Sequence, residues 1–173
     1  MVGDGATPLA EFWSARLGYR PVSHQDLDLF ADFLGDEDTT RYLIVPRAHS
    51  RAEAAALLDR WAAQHDGTIG MYTVLERDRP VGWVGFVRRA LRWGDELELG
   101  WSIRPDDWGH GYATEAALAL RPLGPDRVIH LIHPDNERSI QVAERLGAVL
   151  ERTTTLRGNP VNVYVSPRKP PEG

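Results

Sequence analysis

The stretch ELGWSIRPDDWGHGYATEA, Glu98 to Ala116, decides the reading of this chain. From Glu96 to Ile103, Leu97, Leu99 and Trp101 alternate with Glu96, Glu98 and Gly100, the period of a strand with two unlike faces. A turn with Pro105, Asp106 and Asp107 follows, and then Gly109 and Gly111 stand immediately before a helix predicted over Tyr112 to Leu120. Glycine permits the positive φ and the close backbone approach that an anion-binding turn needs. The first N–H groups of a helix lack intrahelical partners, and the helix dipole favours negative charge there. A pyrophosphate is a natural occupant of such a start, although strand, turn, glycine and helix also make an ordinary structural junction. Two other phosphate motifs are excluded. No Gly-Lys-Ser/Thr tripeptide of a Walker loop exists, and a dinucleotide fingerprint would need glycine where Thr114 stands.

Working outward, Arg16 to Val22 reads as a first strand. A helix started by Ser23 or Asp26 follows and ends near Gly35, and GDEDTT after it reads as a loop. Ser50 with Glu53 forms a capping box for a helix whose Ala54, Leu57, Leu58 and Trp61 make an apolar stripe. Ile69 to Leu75 and Val81 to Arg89 read as strands about a turn at Asp78-Arg79-Pro80. Beyond the central stretch come a strand at Arg127 to His133, a helix at Glu137 to Leu146, and strands at Val149 to Thr155 and Val161 to Ser166. The order is β-α-α-β-β-β-α-β-α-β-β. Its three consecutive central strands imply a mixed sheet, not a doubly wound parallel one. One domain over residues 16–166 is expected, with a partly flexible extension at 1–15 and a Pro-rich tail at 167–173.

Composition narrows the partners. Asp and Glu number 25 against 20 Lys and Arg, for a net charge of -5, so a broad nucleic-acid surface is not expected. Cysteine is absent, which excludes disulfides, thiolate metal sites and a cysteine nucleophile. No run approaches the ~18 apolar residues of a membrane span. The opening MVGDGATPLAEFW has neither a basic nor an apolar signal region, so a cytoplasmic protein is expected.

WSIRPDDWGHGYATEA followed by HPDNERSIQVAERLGA resembles the GNAT superfamily of N-acetyltransferases, and within it the RimJ/RimL-like branch. The resemblance is specific from Glu98 to Ala148 and implies a mostly antiparallel central sheet of about seven strands with helices on both faces. It implies acetyl-CoA as acyl donor, an amine acceptor, no metal, and a monomer or homodimer. The family pattern Q/R-x-x-G-x-G/A falls on Trp108, Gly109, His110, Gly111, Tyr112 and Ala113, with Thr114 beside it, and would present main-chain N–H groups to the CoA pyrophosphate. Trp108 stands in place of the usual Gln or Arg, which takes one cationic side chain from the phosphates. Trp101, Ser102 and Ile103 match the splayed strand that pairs with the pantetheine amides. Asn136 matches the side chain on the pantetheine arm, and Ser139 the serine near the thiol, a candidate proton donor to the thiolate with Tyr164 as alternative. The helix behind the loop is cut short by Arg121-Pro122-Leu123-Gly124-Pro125.

An amine attacks a thioester only as free base. A lysine amine costs roughly 4.6 kcal/mol to deprotonate at pH 7, and an α-amine about 1 kcal/mol. Glu98 is the candidate base and Glu96 the runner-up, against the plainer reading of both as exposed residues on a polar strand face. Asp36, Glu37 and Asp38 border the expected acceptor side, or simply form a solvated loop. Trp13, Trp61 and Trp93 are candidates for lining that cleft, Trp61 being better suited to the core. His130 and His133 are read as structural, and His110 as solvent-facing or stacked. A CoA-binding scaffold without chemistry is the competing function.

Overall fold

The computed structural model describes residues 11–44 and 48–168. Residues 1–10 of the expected extension and residues 169–173 of the tail lie outside them. The strands are β1 (Phe12–Trp13), β2 (Leu17–Pro21), β3 (Met71–Glu76), β4 (Arg79–Leu91), β5 (Gly94–Ile103), β6 (Val128–Ile132), β7 (Val149–Leu156) and β8 (Asn159–Ser166). The helices are α1 (Leu27–Gly35), α2 (Glu37–Thr40), α3 (Arg51–Ala63), α4 (Tyr112–Leu120) and α5 (Glu137–Arg145). No helix among the described residues is long and apolar enough to cross a membrane.

One eight-stranded sheet in the order β1-β2-β3-β4-β5-β6-β8-β7 forms the middle layer. Every neighbouring pair is antiparallel except β5 and β6, which α4 joins as a crossover and which meet in parallel register at Glu98↔Ile129. The eighth strand lies in the expected N-terminal extension. Phe12 pairs with Tyr19 and stacks on its ring at 4.6 Å, so two residues suffice to add an edge. Two other boundaries differ from expectation. GDEDTT contains α2, because the Asp36 side chain accepts from Thr39 N–H at 2.7 Å and caps a helical turn. The β3–β4 turn is made by Arg77, at φ 56, and Asp78, while Arg79 and Pro80 already pair with β3.

Helices cover both faces. On one, Phe30 and Leu34 of α1 and Leu58 and Trp61 of α3 pack on Met71, Trp83 and Val87. On the other, Tyr112, Ala116 and Leu120 of α4 pack on Val84, Phe86, Leu99 and Ile103. The expected α3 stripe of Ala54, Leu57, Leu58 and Trp61 is buried, and Ser50 accepts from Glu53 N–H. Helix α5 lies beside α4, with Val142 and Leu146 against Ala117 and Ala143 against Ile132 and Tyr164.

Candidate active site

After β5 the chain makes a turn over Pro105–Asp107, held to β4 by a two-pronged pair from Arg79 to Asp107 at 3.0 and 2.7 Å. Gly109 and Gly111 follow at φ +81 and +77, the left-handed region in which a side chain is strained. Gly111 is the N-cap of α4 and no side chain caps that first turn. In α5, by contrast, Asn136 Oδ1 accepts from Ser139 N–H at 3.2 Å. The open N–H groups are therefore those behind the glycine loop.

The loop is fastened from outside. Arg16 Nη1 donates to the His110 carbonyl at 2.9 Å and Arg16 Nε to Glu115 Oε2 at 2.7 Å, while Ser14 Oγ donates to Glu115 Oε1 at 2.6 Å. Burial alone would raise the Glu115 carboxyl; the bonds from Ser14 and Arg16 outweigh it and hold the group below its usual value. His110 stacks on Tyr112.

Trp108 is pinned by its own indole N–H, which donates to the Ile103 carbonyl at 2.7 Å, and the Arg138 guanidinium lies 4.2 Å over its ring. Arg145 Nη1 approaches Thr114 Oγ1 at 3.4 Å. Arg16, Arg41, Arg138 and Arg145 all border the same groove. That groove, of about 1250 Å³, is also lined by Trp101, Ser102, Ile103, Trp108, Gly109, Gly111, Tyr112, Ala113, Thr114, Asn136 and Ser139. Of the expected cofactor residues only His110 does not line it.

The groove continues inward because β5 and β6 part after Glu98↔Ile129. Beyond that pair the Leu99 carbonyl is met by a side chain, His130 Nδ1, at 2.9 Å. That carbonyl can only accept, so Nδ1 carries the proton; Nε2 then accepts from Ser166 Oγ at 2.9 Å, and Ser166 Oγ accepts from Arg121 Nε at 2.7 Å. Arg121, with no exposed surface, also donates to the carbonyls of Pro125, Asp126 and Ser166. Alternate residues of a strand point their N–H to the same edge, so Trp101 offers its N–H where β6 has withdrawn.

The inner pocket, about 60 Å³, shares Tyr42, Leu43, Trp101, Asn136 and Ser139 with the groove and adds Arg89 and Glu98. Glu98 is buried, with Oε2 accepting from Arg89 Nε at 2.5 Å, and Oε1 has no hydrogen bond among the described residues. Ser139 offers its hydroxyl at the junction, likewise unbonded among the described residues. Glu96 shares the face of Glu98 but lies outside the pocket, held by Arg127 at 3.0 and 2.8 Å. Tyr164 is buried among Ile132, Ala143 and Ala148 and borders neither cavity. Asp38 borders the groove, Trp61 the inner pocket, and Trp13 and Trp93 neither. His133 packs beside Tyr42 at 5.2 Å.

Sequence reasoning did not pick out Arg16, Arg89, Arg138 or His130 as site residues. Arg138 lies inside the quoted NERSIQ segment and His130 in HLIH, but only the fold tells which way they face. Nothing in the sequence singles out Arg16 or Arg89.

A mixed sheet parted beside a glycine-started crossover helix, with a carboxylate at the parting, defines an acyltransferase architecture. The acetyltransferase (GNAT) domain family matches residues 16–149, and the chain belongs to that family; its reaction class is acetyl transfer. It is 29% identical over 171 residues to the uncharacterized N-acetyltransferase YoaA of Bacillus subtilis (strain 168), covering 89% of this chain and 96% of that protein. A GnaT-family acetyltransferase from Bordetella pertussis superposes with a TM-score of 0.77 at 24% identity, over 91% of this chain and 99% of the other. RimL, a ribosomal L7/L12 α-N-protein acetyltransferase, superposes in its complex with coenzyme A with a TM-score of 0.74 at 19% identity, over 89% and 95%. These two structural likenesses speak for the fold.

Proposed function

We propose that the protein transfers acetyl from acetyl-CoA to a primary amine by direct attack with both substrates bound. The observation that carries this reading is the junction of groove and pocket, where the hydroxyl of Ser139 and the pocket carboxylate of Glu98 flank the edge of Trp101. The residues fit the donor. The uncapped N–H groups of Ala113 and Thr114, with Arg16, Arg138 and Arg145 around them, suit a pyrophosphate; the free edge of Trp101 to Ile103 and the Asn136 side chain suit the two amides of a pantetheine arm. That the coenzyme A complex of RimL shares this fold supports the same choice.

In this reading Glu98 Oε1 accepts the proton of the attacking amine. Trp101 N–H stabilises the negative charge that develops on the thioester oxygen. Ser139 gives its proton to the departing thiolate and recovers one from solvent. Holding both substrates at one junction supplies most of the acceleration. Cytoplasmic placement and a RimJ/RimL-like affiliation remain part of the proposal. Thiol release from acetyl-CoA should appear with members of an amine panel and fall about 100-fold or more in Glu98→Gln. Acetyl-CoA that raises the melting temperature while no amine is acetylated would establish the scaffold reading instead.

A further inference from the structure

Among the described residues, Arg89 is the one cation bordering the inner pocket, whose other walls include Leu43, Ile44, Trp61, Met71 and Trp83. Its pairing is incomplete. Nε donates to Glu98, whereas Nη1 and Nη2 have no hydrogen bond among the described residues. Glu96, directly opposite Arg89 in the β4–β5 register, is taken by Arg127, which also holds Glu151. The fork that binds carboxylates in two-pronged fashion is thus left open on a side chain that borders the pocket and is 25% exposed.

We infer that the acceptor is an amino acid or similar amine bearing a carboxylate and an apolar side chain, with the carboxylate on the Nη1–Nη2 fork of Arg89. The inference rests on the proposed amine acetylation. Because Arg89 bridges from Glu98, a carboxylate on its outer edge brings the neighbouring amine toward Glu98 Oε1. The amine nitrogen then bonds to the acyl carbon as the carbon–sulfur bond breaks. Its proton passes to Glu98, and the thiolate takes the proton of Ser139. The apolar walls accept a small side chain, since about 60 Å³ is well short of the ~150 Å³ that houses a benzene ring.

The test compares matched acceptors with and without the carboxylate: alanine against alaninamide, and valine against valinamide, with acetyl-CoA as donor. The amide's amine is the easier to deprotonate, so a preference for the acid reports binding of the carboxylate. The expected result is a kcat/KM about 10- to 100-fold higher for the acids. Arg89→Gln, which also loosens Glu98 and so slows both acceptors, should erase the preference of acid over amide, and Arg89→Lys should keep part of it. Amides acetylated as well as or better than the acids overturn this inference and leave amine acetylation standing. No thiol release with any of these amines or with the wider panel overturns both. The wild-type comparison decides the matter even where a variant folds poorly.

Discussion

His130 should make the protein acid-labile in a defined window. The ring is 1% exposed, and burial, opposed by the bond to the Leu99 carbonyl and assisted by the nearby Arg121 charge, pushes its pKa down from 6.5 to about 4. In the unfolded chain the imidazole titrates near the usual ~6.5, so between that pH and about 4 the unfolded state binds the extra proton and gains. The stability contributed by keeping His130 neutral is therefore present above about pH 6.5 and is lost as pH falls through the folded value near 4. A shift of that size corresponds to about 3 kcal/mol, a large share of the ~5–15 kcal/mol that holds a domain together. At ~2–4 °C per kcal/mol for a chain of this length, the wild type should lose roughly 6–12 °C of melting temperature from this group alone. His130→Asn places an amide nitrogen where Nδ1 stands, retains the bond to Leu99 and cannot titrate. Urea or thermal melts of both proteins at pH 7, 5.5 and 4 isolate the effect, since carboxylates such as Glu115 act alike in each. A wild type and variant that lose stability in parallel across this range would refute the argument.

Two further outcomes follow from the loop and its cations. Gly111→Ala places a Cβ at φ +77, 3.6 Å from Arg16 Nη2, a tolerable contact in a strained backbone; a loss of about 1–2 kcal/mol in a urea melt is expected. Arg138→Ala should raise KM for acetyl-CoA about 10-fold while leaving acetyl-pantetheine, which lacks the phosphates, unaffected in steady-state thiol release.

The elements read best in the sequence are those whose local signals agree. Ser50 with the Ala54–Trp61 stripe fixed α3 in advance, and the two glycines before Tyr112 located the start of α4. The misses have local causes as well. Two residues, Phe12 and Trp13, are too few for alternation to register, and β1 exists because aromatic rings on β2 and β3 receive Phe12. In GDEDTT the polar composition concealed a cap and a helical turn. At the site, the two positive-φ glycines before a helix start could be read from local chemistry, whereas Asn136 and Ser139 were named through the family resemblance alone. The choice between Glu96 and Glu98 could not be read there, since alternation puts both on one face and only the third dimension gives Glu96 to Arg127. The cations around the groove escaped notice for the same reason: Arg16 is separated from Glu115 by 99 positions in the chain.

Strand β5 works as a ruler. Glu98 faces the inner pocket, Trp101 offers its edge to the groove, and Ile103 anchors Trp108 at the head of the glycine loop. The pocket carboxylate and the groove edge are therefore spaced by one uninterrupted run of pleats, which pairs with β4 from Leu91↔Gly94 to Gly82↔Ile103 without a shift. Adding or removing one residue in that run would turn everything beyond it to the opposite face. A change of length is thus borne more easily at a hairpin tip than between Glu98 and Ile103, where it would swing Trp101 and the anchor of Trp108 away from the groove.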